Sequence, residues 1–175
     1  MYKRQDVFPA FQKAMHGEIT LSNYMDKIIE QEQKLPMGYV KLRYIENHDM
    51  PRIMSYFKNK EASFCGIALI YMLRGMTFLY NGIETLSDHQ ISLFDKDDIE
   101  WDKKEEDVVS FISKLSLLKK DNIYQTGIFN VINLDDDFIL IKWSNEEKDL
   151  YAFLNLKGIE TVSYTHLTLP TTSRV

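Results

Sequence analysis

A short polar cluster, Asn47-His48-Asp49, holds the side chains best suited to chemistry in this sequence. It directly follows Tyr39 to Glu46, a run rich in β-branched and aromatic residues that predicts a β-strand. In a barrel of parallel strands, the carboxyl ends of the strands form the active face. A histidine and an aspartate released there can hydrogen-bond one polar ligand together. On these three residues alone, an Asx-type turn whose Asp caps the next helix is the simpler interpretation.

The elements around this cluster alternate between helix and strand. Helical periodicity predicts helices at Asn23 to Leu35, with Ser22 as N-cap, and at Glu61 to Arg74, with Gly75 just past its end. Met76 to Tyr80 reads as a second, buried strand, whereas Pro9 is expected to break any earlier helix. The two strands begin 37 residues apart (76 − 39), which suits one βαβ crossover and a parallel sheet.

The pattern changes towards the end of the chain. A helix is predicted at Lys104 to Lys120, and after Asn122 short apolar runs follow on short polar turns. Short strands on short turns indicate an antiparallel meander and hence a second domain. The predicted strands are Gly127 to Leu134, Phe138 to Trp143 and Leu150 to Leu156.

Composition excludes several function classes. The 175 residues carry 21 Lys+Arg against 26 Asp+Glu, a formal net charge of -5. This acidic balance argues against nucleic acid and anionic membranes as partners, because both require clustered basic residues. The single cysteine, Cys65, excludes an intramolecular disulfide framework. The histidines also lack the spacing of metal ligands, so we expect no metal site; they are His16, His48, His89 and His166.

Three segments together carry a family resemblance. The segment Tyr44 to Arg52 (YIENHDMPR) resembles the last catalytic segment of the α-amylase clan of glycoside hydrolases. Gly75 to Glu84 is similar to that clan's eighth barrel strand, with its aromatic-x-Gly-x-Glu ending, and His89 to Asp97 with Trp101 resembles the loop that follows. The resemblance spans roughly residues 8 to 156. It implies an α/β fold: the C-terminal portion of a (β/α)8 TIM barrel followed by part of an antiparallel β-sandwich domain.

The resemblance also implies roles for individual residues. Asp49 matches the third catalytic carboxylate, which binds sugar hydroxyls and stabilises an oxocarbenium-like transition state. The nucleophile and the acid/base lie upstream in the family, so neither is assigned here, and Glu84 matches a carboxylate that is usually structural. The implied partner is an α-glucan or oligosaccharide, and no organic cofactor is needed. The residues expected to bind substrate are His48, Asn47, Arg52, as an orienting residue, and Trp101.

The two ends resemble translated sequencing adapter rather than protein. On this interpretation residues 1–5 and 162–175 are artefacts, 6–121 is the C-terminal part of the barrel, and 122–161 begins the antiparallel domain. The chain would then be a piece of a longer enzyme and, without its nucleophile and acid/base, inactive alone.

Other interpretations stay open at this stage. Within the clan, the longer protein could be a transglycosylase or an isomerase, such as a maltosyltransferase or a trehalose synthase. It could also be a non-catalytic sugar-binding relative, or an unrelated α/β domain. Ile83 and Ile91 depart from the clan's usual residues, so they weaken any substrate assignment. Nothing in the sequence decides localisation.

Overall fold

Two helices that the sequence did not predict, Val7–Met15 and Ile123–Thr126, are added to elements that otherwise follow the predicted order. The computed structural model describes residues 7–36, 39–57, 59–133 and 136–159. Short 3-10 turns occupy Ile53–Ser55, Ile83–Thr85 and Trp101–Lys103. The longer elements are α1 (Val7–Met15), α2 (Leu21–Lys34), β1 (Leu42–Arg43), α3 (Lys60–Met72), β2 (Met76–Thr77), α4 (Glu106–Leu118), α5 (Ile123–Thr126), β3 (Ile128–Asn133), β4 (Ile139–Ser144) and β5 (Asp149–Leu154).

Strands β1 and β2 pair in parallel, with Leu42 opposite Met76 and Arg43 opposite Thr77. Helix α3 connects them, which confirms the predicted βαβ unit. Both strands are shorter than predicted, because an apolar run forms a strand only where a partner faces it. Val40, outside β1, is exposed, and so is Met76 within β2, so the prediction that the second strand is buried is wrong.

Gly75 allows the close approach of the two parallel strands and does not end the helix before it. Helix α3 ends at Met72 with Leu73 in extended conformation, so the prediction of Gly75 as the helix-ending residue is wrong. Gly75 has φ +119, and a Cβ there would lie 2.2 Å from the carbonyl oxygen of Lys41. Only glycine allows β2 to approach β1 this closely.

Two predictions at the amino end are also wrong. Pro9 lies inside α1, in its first turn, where a backbone N–H would have no intrahelical acceptor and proline is tolerated. The N-cap of α2 is Thr20 rather than Ser22. The Thr20 hydroxyl accepts from the Asn23 backbone N–H at 3.0 Å, and the Asn23 side-chain oxygen accepts in return from the Thr20 N–H.

The last three strands form an antiparallel sheet in the order β3-β4-β5, which confirms the predicted meander. In β4, Ile139, Ile141 and Trp143 alternate towards the core and are buried. The Trp143 indole N–H donates to the Met72 carbonyl at 2.8 Å. The sheet therefore packs on the carboxyl end of α3. No helix in the described part of the chain is long and apolar enough to cross a membrane.

Candidate active-site loop

The Asn47-His48-Asp49 segment forms a turn beyond the carboxyl end of β1. The Asn47 side-chain oxygen accepts from the Asp49 backbone N–H at 2.9 Å, and the Met50 N–H donates to the Asn47 carbonyl at 3.2 Å. The Asx-type turn is therefore present, with Asn47 as its anchor. Asp49 caps no helix, since Arg52 precedes the next 3-10 turn and Asn59 caps α3. The Asp49 carboxylate is therefore not used as a helix cap.

The His48 and Asp49 side chains lie together at the tip of this loop. His48 Nε2 is 3.3 Å from Asp49 Oδ2, and the two side chains are 59% and 68% exposed. An exposed imidazole beside an exposed carboxylate offers one donor and several acceptor positions to the same polyhydroxylated ligand. The structure thus brings Asn47, His48 and Asp49 together at the predicted strand end.

Tyr44 lies between this tip and the core. Its ring stacks on Phe8 at a centroid distance of 5.9 Å. Burial raises the pKa of the Tyr44 hydroxyl, and the negative charge of Asp49 raises it further, so the hydroxyl lies within electrostatic reach of that carboxylate. Tyr44 is partly buried and packs against the hydrophobic core.

A buried ion pair lies at the base of the same loop. Glu46 is 1% exposed and Arg52 is 2% exposed, with Glu46 Oε1 3.1 Å from Arg52 Nη2. Glu46 Oε2 accepts from the Ile53 backbone N–H at 2.6 Å. Burial raises the pKa of Glu46 to about 7; Arg52 and the Ile53 N–H act in the opposite direction, and Glu84 adds to the rise.

Arg52 also reaches the segment that follows β2. Its Nη1 donates to the Asn81 carbonyl at 3.1 Å, and its guanidinium lies 5.0 Å from the centroid of the Tyr80 ring. Glu84 Oε2 is buried and has no hydrogen-bond partner among the described residues. Arg52, predicted as an orienting residue, is therefore placed beneath the exposed tip, in contact with two loops.

Trp101 lies on the loop after β2, at the start of a 3-10 turn, and is 50% exposed. That loop is closed by His89, whose Nε2 lies 2.9 Å from both Asp97 oxygens. The Ser92 N–H and His89 hold the pKa of Asp97 below its usual range. The half-exposed indole agrees with a surface role for Trp101, whereas Trp143 is fully buried.

Metal-ligand clusters are missing from the residues that the structure describes. No group of three or more His, Cys, Asp or Glu side chains there could hold a metal ion. Cys65 is half-buried, and burial raises the pKa of its thiol, which lowers its reactivity. The chemistry available at the tip is therefore that of carboxylate, imidazole and amide groups.

The family follows from comparison with known proteins. Residues 3–147 match the model of the alpha-amylase catalytic domain. The chain belongs to the alpha-amylase family. This match begins at residue 3, within the segment 1–5 that the adapter interpretation sets aside; that segment, residue 6 and residues 160–175 lie outside the described residues.

Solved structures of alpha-amylase family members share the fold. An alpha-amylase from Lactobacillus plantarum is 33% identical, with a TM-score of 0.82, over 89% of this chain and 37% of that one. A maltogenic alpha-amylase from Thermotoga neapolitana is 25% identical, with a TM-score of 0.79, over 86% and 36%. The chain thus spans just over a third of the length of these structures. The fold is accordingly part of a TIM barrel followed by an antiparallel β-sheet.

A more distant structure agrees on the fold. A cyclic alpha-maltosyl-(1→6)-maltose hydrolase from Arthrobacter globiformis has 16% identity and a TM-score of 0.71, covering 85% of this chain and 36% of that one. A comparison with curated proteins gave no match.

Sequence reasoning missed the part that Glu46 plays in the alpha-amylase family loop. Glu46 was named there only as the last residue of the predicted strand, with no role of its own. A usable signal was present, since a carboxylate directly after Tyr44 and Ile45 and six positions before an arginine is costly to bury unless it is paired.

Proposed function

We propose that this chain contributes one of three catalytic carboxylates to a longer, retaining glycoside hydrolase that cleaves α-glucosidic bonds. The observation that carries the proposal is the exposed Asp49 carboxylate, beside His48, at the carboxyl end of a parallel strand in an alpha-amylase family chain. Active sites of such barrels lie at that end of the strands.

Asp49 would act through charge and position. In a retaining reaction the sugar ring becomes electron-poor as the glycosidic bond breaks, and a fixed negative charge nearby favours that state over the ground state. The Asx turn at Asn47 fixes the Asp49 backbone, so the carboxylate needs little rearrangement during the reaction. His48 would donate a hydrogen bond to a hydroxyl of the same ring, and the half-exposed indole of Trp101 would stack on a neighbouring sugar.

Hydrolysis is preferred over transfer because two similar structures, at 33% and 25% identity, are both described as alpha-amylases. The substrate class is an α-glucan or an oligosaccharide derived from it. Transglycosylation or isomerisation by the same carboxylates differs in the acceptor that intercepts the intermediate, and residues beyond this chain would select that acceptor.

The test uses the longer protein encoded by the source DNA, with the 175-residue chain beside it. We expect the longer protein to hydrolyse maltooligosaccharides with retention of the anomeric configuration, which NMR of the first product detects. Asp49→Asn should lower kcat by about 10²- to 10³-fold, because it removes a charge that acts mainly in the transition state. The chain alone should be inactive.

A matched control is Asp26→Asn, which changes an exposed aspartate on α2. It should leave kcat unchanged. Wild-type turnover in the Asp49→Asn enzyme would remove Asp49 from the reaction, and an upstream sequence without an Asp and a Glu at the ends of two strands would favour the sugar-binding relative instead.

A further inference from the structure

The segment 44–52 and the segment 75–84 are joined by the Arg52 side chain. Arg52 ends the Asn47–Asp49 loop, yet its guanidinium contacts Tyr80 and Asn81, about 30 positions further along the chain. On its other side it pairs with Glu46, the residue that begins the loop. The Arg52 guanidinium therefore links Glu46, before the Asn47–Asp49 loop, to Tyr80 and Asn81, which follow β2.

Glycine at position 82 makes room for this arrangement. Gly82 has φ +87, and a Cβ there would lie 3.2 Å from Arg52 Nη2 and 2.9 Å from the Ile99 side chain. A larger residue would thus push on the guanidinium as well as strain the backbone. The Tyr80 ring, the Asn81 carbonyl and Gly82 all lie around the same guanidinium.

The buried charges of Glu46, Arg52 and Glu84 are also linked. Glu46 and Glu84 are two carboxylates with buried oxygens, and Arg52 is the cation paired with Glu46. A buried carboxylate without a cation is strongly unfavourable, so Glu46 restricts where Arg52 can lie, and the negative charge of Glu84 acts on Glu46. Burial raises the pKa of the nearby Tyr56 hydroxyl, and the negative charge of Glu46 adds to the rise.

We propose that Glu46, Arg52, Gly82 and Glu84 form a buried clamp that positions the exposed Asn47–Asp49 loop against the end of β2. Glu46 closes the loop by accepting from the Ile53 N–H, and Arg52 ties the closed loop to the Asn81 carbonyl. These four are positioning residues: they act through the loop and do not touch the sugar. The relevance to catalysis rests on the proposed function of Asp49, whereas the clamp itself can be measured without substrate.

The decisive experiment compares two glycine substitutions by amide hydrogen exchange and ¹⁵N relaxation of this chain. Gly82→Ala crowds Arg52, whereas Gly17→Ala introduces similar strain at φ +77 with no atom within 4 Å of the new methyl group. We expect Gly82→Ala to speed exchange at the Ile53 and Met50 amides about tenfold, the factor expected when a charge-assisted hydrogen bond is weakened. Asp49 should become more mobile. Gly17→Ala should change these values less than about twofold.

The reference signal is the Ile141 amide in β4 of the antiparallel sheet. Neither glycine variant should change its exchange rate. Equal effects of the two variants on Ile53 and Met50 would overturn the clamp. Faster amide exchange spread evenly over β1, α3 and β2 would also overturn the clamp, because it would indicate a general loosening of the packing. If Gly82→Ala fails to fold, Arg52→Lys is the second variant; it keeps the charge and loses the planar fork that reaches Asn81 and Tyr80 together.

A measurement on the unaltered chain tests the central contact independently. The Ile53 amide proton should shift with pH as Glu46 titrates, with an apparent pKa of about 7, and His48→Asn should leave that titration in place. An Ile53 amide that ignores pH between 5 and 9 would contradict the contact. Failure of the clamp in these experiments leaves the Asp49→Asn result intact, and loss of the Asp49 role leaves the clamp intact.

Discussion

The loop between residues 46 and 53 has two parts with opposite surroundings. At its tip, His48 and Asp49 form an exposed pair whose atoms are 3.3 Å apart. At its base, Glu46 and Arg52 form a pair at almost the same distance, 3.1 Å, but nearly without solvent. Distance alone does not distinguish the pairs; burial does. Water screens the tip, which leaves it available to a ligand, whereas the base must satisfy its charges within the protein.

Removing the cation from the base should have the largest effect on this contrast. Arg52→Met would leave the Glu46 carboxylate buried without its cation and subject to the negative charge of Glu84. We expect a loss of about 3–5 kcal/mol in the free energy of unfolding, measured by urea titration with Trp143 fluorescence. Lys114→Met, which removes an exposed cation on α4, should cost less than about 0.5 kcal/mol. Similar costs for both variants would show that burial does not distinguish the pairs.

A pH series should give the next largest effect. The pKa of Glu46 rises from its ordinary value of 4.5 to about 7 in the fold. Between these values the folded chain binds more protons than the unfolded chain, so the contribution of Glu46 to stability falls as pH rises through this window. Relative to Glu46→Gln, which cannot titrate, the wild type should lose about 3 kcal/mol from pH 4.5 to pH 7.

The control for the pH series is Glu18→Gln, a change of an exposed glutamate in the turn after α1. Its stability difference from the wild type should stay constant across the same pH range. A constant difference for Glu46→Gln as well would mean that the buried carboxyl titrates normally, and the contrast between base and tip would be lost.

The tip should show the smallest effect on stability. Asp49→Asn and His48→Gln each change a side chain that is more than half exposed, so each should shift the free energy of unfolding by less than about 0.5 kcal/mol. Asp49→Asn should nonetheless abolish most activity in the longer protein, as described above. A loss of more than about 2 kcal/mol for Asp49→Asn would indicate a structural role at the tip.

Local patterns predicted much of the fold and the exposed part of the site. The alternation of apolar runs, together with the spacing of 37 residues between strand starts, identified the parallel pair, and the turn-rich segment after residue 122 identified the meander. The tip was found because its three residues are contiguous and directly follow a strand. These features depend on neighbours in the sequence.

The errors and omissions depend on position in space. Pro9 was read as a helix breaker because its place in the first turn of α1 was not known. Gly75 was assigned to a helix end because the approach of Lys41 comes from another strand. The contacts of Arg52 with Tyr80 and Asn81 bridge about 30 positions, and no periodicity reports such a contact. The base of the loop therefore became visible only in three dimensions.

The hydrogen bond from Trp143 to the Met72 carbonyl has a consequence for protein engineering. Helix α3 ends with carbonyls that it cannot satisfy itself, and two of its acceptors are met by the Lys119 ammonium, at the Tyr71 and Leu73 carbonyls. A third carbonyl, that of Met72, accepts from the Trp143 indole N–H on β4. Trp143 thus joins the antiparallel sheet to the end of α3. Shuffling barrels and sheets between homologues will need to transfer this indole and its helix end as a matched set.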